Sequence, residues 1–69
     1  MATTVYKMIE LVGTSPKSIE DAVNNALTSR AAEKRTDQRW VQVIETRGAL
    51  KNGKVTEWQV TVKVGMAGD

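Results

Sequence analysis

Apolar and polar positions follow three rhythms along this chain. From Thr4 to Val12 (TVYKMIELV) β-branched and apolar residues dominate, and Gly13-Thr14-Ser15-Pro16 follows, the pattern of a strand that ends in a turn. Beyond it Ile19, Ala22, Val23, Ala26, Leu27 and Ala31 recur at spacings of three and four, which puts one apolar stripe on a helix running to about Arg35. Ser15 has the chemistry of an N-cap, and Pro16 suits a first helical residue because its missing N–H is not needed there. Trp40 to Leu50 and Lys54 to Met66 are two further strand-like runs, separated by Asn52-Gly53, the dipeptide best suited to the two positive-φ positions of a type I′ hairpin turn. A right-handed crossover leaves the first and second strands parallel with room for one strand between them, and the third strand fills that slot antiparallel to both. The expected fold is α+β: a βαββ unit with a three-stranded antiparallel sheet packed on one helix. It forms a single domain over residues 1–69 with a short Ala67-Gly68-Asp69 tail.

In the third strand Trp58, Val60, Val62 and Val64 share one face and Glu57, Gln59, Thr61 and Lys63 the other, so the apolar face meets the helix. With Asn52 and Gly53 as the loop residues, Val43 falls opposite Val62 and Val41 opposite Val64, which turns these valines toward the helix as well. Trp40, Gln42 and Ile44 then point away from it, in the company of Gln59, Thr61 and Lys63. The same register sets Gln59 opposite Thr46 and Trp40 near Gly65, roughly 20 Å apart at ~3.3 Å per residue. One subunit alone does not bring both to a small ligand, so a site that uses both lies where subunits meet. Arg47 is turned toward the helix unless Gly48 bulges, and glycine inside a strand is a common place for a bulge.

An indole on the polar face of a sheet has two uses: it packs on another subunit, or it offers a flat stacking platform to an aromatic ligand. Trp58 reads as helix-facing core. Gln59 reads as an exposed strand residue whose amide is also able to pair with the donor and acceptor edge of a ligand.

Composition narrows the choice. A chain of 69 residues buries only about 60% of the surface its unfolded form exposes, and small chains usually need a staple. Without Cys or His there is neither a disulfide nor the usual structural zinc site, which leaves association with other copies as the stabiliser. Ten Lys and Arg against eight Asp and Glu are spread along the chain, and the one cluster, Lys34, Arg35 and Arg39, is diluted by Glu33 and Asp37. Those residues suit a solvated helix end, and the pattern is a weak signal for nucleic acid. Met1 to Lys7 carries no basic stretch followed by an apolar run, and no segment approaches the ~20 apolar residues that span a membrane, so the expectation is a cytoplasmic protein. No His, no Cys, no serine in a nucleophile-elbow setting and no Gly-rich phosphate loop after a strand point away from an enzyme. Gly13-Thr14-Ser15 is explained by helix capping.

The run Tyr6 to Ser15 with its Val-Gly-Thr-Ser ending, the segment Trp40-Val41-Gln42-Val43 followed by Arg47-Gly48, and Trp58-Gln59-Val60 through Gly65 together resemble a bacterial dodecin over nearly the whole chain. Dodecins are βαββ subunits that assemble into a hollow homo-dodecamer and hold flavins in pairs between tryptophans of symmetry-related subunits, as stores and quenchers. The resemblance implies that Trp40 stacks on the flavin, that Gln59 hydrogen-bonds the isoalloxazine edge, and that Arg47 is a secondary contact. It implies flavin mononucleotide, riboflavin or lumichrome as ligand, self-association as the partnership and no catalysis, and it singles out no metal-ligating residue. Two departures stand out. Trp58 takes a place where the family more often has Phe or Tyr, and Met66-Ala67 follows Val-Gly where an aromatic and an arginine are common, so any phosphate contact falls to Arg47, Lys7 or the Lys34 and Arg35 region. The competing reading is a structural or protein-interaction oligomer with no small-molecule ligand. A sheet that stacks nucleic-acid bases wants several exposed aromatics along a basic face, and Trp40 is the one good candidate.

Overall fold

The computed structural model describes residues 4–68; residues 1–3 of the segment read for targeting signals, and Asp69 of the tail, lie outside them. The elements are β1 (Tyr6–Ser15), α1 (Ile19–Thr28), two 3₁₀ turns at Arg30–Ala32 and Arg35–Asp37, β2 (Gln38–Lys51) and β3 (Lys54–Ala67). The sheet order is β1-β3-β2 with both pairings antiparallel, as the crossover argument requires. Asn52 and Gly53 take φ of 54° and 78°, the two left-handed positions of the expected hairpin turn.

Both ends of the helix differ from expectation, for identifiable reasons. Ser15 belongs to β1, opposite Trp58, and its buried hydroxyl donates to Asp21 Oδ2 (2.7 Å) while accepting from the Lys17 N–H (2.9 Å). The N-cap is Ser18, whose Oγ accepts from the Asp21 N–H (3.0 Å), and Pro16 lies in the turn before the helix. At the other end α1 stops at Thr28, well short of Arg35. Its last carbonyls are taken by side chains: Ser29 Oγ donates to Ala26 O (2.7 Å), and Gln38 Nε2 donates to Leu27 O (3.0 Å). Lys34 and Arg35 therefore lie on the connection to β2 rather than on a helix end, and Arg39 Nη1 donates to Thr36 O (2.9 Å).

The hairpin register carries the largest correction. Val41 pairs with Val64, Val43 with Val62 and Trp40 with Gly65, as expected, but Gln59 pairs with Arg47 and not with Thr46. Two bulges produce this. Thr56 is an extra residue in β3 between the Leu50–Val55 and Ala49–Glu57 pairs, and Ile44 is an extra residue in β2 between Val43 and Glu45. Between them the register is shifted by one, which turns Arg47 to the face away from the helix; the simple register holds again from Val43 to Trp40, and Arg39 is a further extra residue before Gln38 pairs with Met66. Gly48 is not a bulge. It pairs with Trp58, and a Cβ there would meet Val55 Cγ1 at 3.1 Å and Trp58 Cζ3 at 3.5 Å, so glycine leaves room for those two side chains.

The core lies between the sheet and α1, where Val60, Val62, Val64 and Met66 of β3 meet Ala22 and Ala26, with Ile9, Leu11, Val23, Leu27 and Trp58 around them. The small helix residues matter because α1 comes so close to β1 that a Cβ on Gly13 would overlap the Ala22 carbonyl oxygen. α1 covers β1 and β3 and meets β2 only at its start, where Gln38 reaches Leu27 O, leaving most of β2 uncovered. Val41 and Val43 point to the helix side as expected, yet they stay 37% and 49% exposed. Trp58 is partly buried against this core, so Trp58→Ala is expected to cost about 3 kcal/mol, the low end for removal of a core aromatic. Denaturant unfolding at fixed subunit concentration measures it, and a change below about 0.5 kcal/mol would remove Trp58 from the core.

Candidate functional site

The face of the sheet turned away from α1 carries two groups of side chains at opposite ends. At one end Trp40 crosses over Gly65, and Tyr6 of β1, two positions along, meets the indole edge to face, with ring centroids 4.9 Å apart and planes at 74°. Trp40 is 42% exposed, so the indole is held on one side and open on the other. Tyr6 and Met8 share this face. They were not legible as site residues, because the β1–β3 register depends on a crossover and not on a local turn.

At the other end Arg47 Nε donates to Gln59 Oε1 (2.7 Å), and Gln59 Nε2 donates to Glu57 Oε2 (3.0 Å). The two hydrogen bonds fix which way round the Gln59 amide sits. Its oxygen keeps a second lone pair and its nitrogen a second hydrogen, a donor and an acceptor side by side. Of the three residues singled out from the sequence, the structure brings Gln59 and Arg47 together and holds Trp40 apart. The pairs Trp40–Gly65 and Arg47–Gln59 lie six β3 positions from each other, roughly 20 Å at ~3.4 Å per residue.

Among the described residues, neither of the two main cavities joins them. An open cavity of about 210 Å³ beside Trp40, lined by Leu27, Gln38, Arg39, Val41 and Val64, is smaller than the ~300–1,000 Å³ usual for ligand pockets. A shallow groove of about 470 Å³ along β1 and α1 includes neither Trp40 nor Gln59 nor Arg47. Among the described residues no helix is long and apolar enough to cross a membrane.

A short helix packs on one face of a three-stranded sheet, and an open indole and an oriented amide lie on the other. The family model for dodecin matches residues 5–68, and the chain belongs to the dodecin family, whose members are small binding proteins and not enzymes. It is 43% identical over 61 residues to a dodecin of Thermus thermophilus, covering 88% of this chain and 87% of that protein. The dodecin of Streptomyces coelicolor superposes with a TM-score of 0.86 at 38% identity, covering 100% of this chain and 97% of that one. The calcium dodecin of Mycobacterium tuberculosis, solved with a novel calcium-binding site, gives a TM-score of 0.75 at 35% identity, covering 94% and 91%.

Proposed function

We propose that this chain, a single domain over residues 1–69, is the cytoplasmic subunit of a hollow homo-dodecamer that sequesters flavin mononucleotide, riboflavin or lumichrome and quenches the flavin's photochemistry. Trp40 supplies the stacking surface. Gln59 pairs through its amide with the hydrogen-bonding edge of the isoalloxazine, and Arg47 holds that amide and adds a positive charge beside it. The observation that carries this reading is the exposed Trp40 indole on the same face as the Gln59–Arg47 pair, at a distance only a second copy spans. Self-association is supported by the apolar side chains the fold leaves in water. Val12, Val43, Ile44, Leu50 and Val55 are all exposed, and each forgoes roughly half of the about 1.5–3 kcal/mol that taking such a side chain from water to full burial provides. Against a net stability of about 5–15 kcal/mol for a whole domain, that deficit favours assembly.

The test combines titration with riboflavin, flavin mononucleotide and lumichrome, each followed by flavin fluorescence, with sedimentation at micromolar concentration. Strong quenching by a particle far heavier than a dimer is the expected result. A stably folded monomer contradicts the assembly. A heavy particle that leaves flavin fluorescence untouched favours a purely structural oligomer, and salt-sensitive uptake of single-stranded nucleic acid without flavin binding favours base stacking.

A further inference from the structure

We propose that Gly65 and Tyr6 are positioning residues that fix the orientation of the Trp40 platform, Gly65 as its floor and Tyr6 as its wall; this rests on the reading of Trp40 as the flavin-stacking surface. Gly65 is buried, pairs with Trp40 on one side and Met8 on the other, and sits in the middle of the row that the indole crosses. A Cβ built there would overlap Cδ2, Cε2 and Cζ2 of Trp40, the atoms at and beside the ring fusion. The ring therefore rests with one face on bare β3 backbone, a position that any side chain at 65 would deny it. Glycine here serves close approach, not a special turn, since its φ is not in the left-handed region. Tyr6 then limits rotation in the plane of the sheet, because an edge-to-face partner at 4.9 Å fixes both distance and angle. With one face on the backbone and one side against the phenol, the indole meets a flat ligand in a single prepared orientation, and little ordering remains to oppose binding.

The test uses the assembled protein and the variants Gly65→Ala, Tyr6→Leu and Tyr6→Phe, with riboflavin as probe. Near-ultraviolet circular dichroism of the ligand-free protein reports the indole's surroundings independently of flavin. Gly65→Ala is expected to change that tryptophan signal and to weaken riboflavin binding at least about tenfold, in an oligomer of unchanged sedimentation. Tyr6→Leu is expected to alter the signal and weaken binding on the order of two- to tenfold, the range of one aromatic pair. Tyr6→Phe keeps the ring and should restore most of both. The proposal is overturned if Gly65→Ala keeps the wild-type dichroism and affinity. It is equally overturned if Tyr6→Leu and Tyr6→Phe behave alike, which decides the matter should Gly65→Ala not fold. If the wild-type protein takes up no flavin, the reading of the ligand fails. The seat is then judged by the dichroism alone, where unchanged spectra in Gly65→Ala and Tyr6→Leu count against it.

Discussion

Trp40→Ala is expected to lower flavin affinity by roughly five- to 150-fold, since alanine substitution of a residue that stacks a planar ring costs about 1–3 kcal/mol. The oligomer should sediment as before, because the indole is 42% exposed and rests on backbone that remains in place without it. Gln59→Ala should cost less, about 1 kcal/mol for each hydrogen bond lost to the ligand. Arg47 is exposed and Glu57 is partly exposed, so both recover water as a partner when the amide between them is removed. Fluorescence titration of the two variants and wild type separates the contributions. The assignment fails if Trp40→Ala binds riboflavin as tightly as wild type while Trp58→Ala, in a stable oligomer, does not bind it. The roles of the two faces would then be exchanged.

What the sequence disclosed about this site followed from local chemistry. Asn52-Gly53 named its own turn, because two successive left-handed residues are cheap for that pair and for few others. Once the turn is fixed, pairing follows by counting, and Val41–Val64, Val43–Val62 and Trp40–Gly65 came out in place. The same count missed Arg47–Gln59. Neither Ile44 nor Thr56 looks like a bulge residue, whereas Gly48 does, and the glycine turned out to be making room for Val55 and Trp58. Bulges at 44 and 56 answer to the twist and packing of the whole sheet, and their opposite shifts cancel, so the register on either side gives no sign of them. The resemblance names Arg47 while the counted register turns it toward the helix; the structure places its side chain on the face away from the helix, beside Gln59.

The helix ends failed for a related reason. Ser15 and Ser18 are equally good caps in isolation, and the choice between them was made by β1, which keeps Ser15 in register with Trp58. Ala31 and Ala32 favour helix by propensity, but Gln38, ten residues beyond Thr28, supplies the amide that closes off Leu27 O, a contact no local window contains. Tyr6 illustrates the same limit at the site itself. Its place beside Trp40 depends on the β1–β3 pairing, which is set by packing of α1 across the sheet.

Gly13→Ala is expected to be the most damaging single-methyl change in the chain. A Cβ at this position would overlap the Ala22 carbonyl oxygen and stand 2.8 Å from Ala26 Cβ. The first obstacle is helix backbone, so no side-chain rotation relieves it, and α1 must move away from β1. A radial gap of about 0.5–1 Å already forfeits about a quarter to a half of the dispersion energy at a contact, and Leu11, Val23 and Leu27 all pack against the core cluster to which Ala22 and Ala26 belong. Overpacking typically costs about 1–3 kcal/mol and occasionally more, and a rigid backbone obstacle places this case at or above the top of that range. For a small domain whose apolar β2 surface also depends on assembly, the expected outcome is little soluble oligomer, or an unfolding midpoint far below wild type. Adding Ala26→Gly removes the second contact but not the first, and it weakens the helix by about 1 kcal/mol, so it should not restore stability. Recovery of wild-type stability in the double variant would mean that Ala26, and not the Ala22 carbonyl, sets the helix height. A Gly13→Ala protein with an unchanged midpoint would show that α1 does not depend on the glycine for its approach to the sheet.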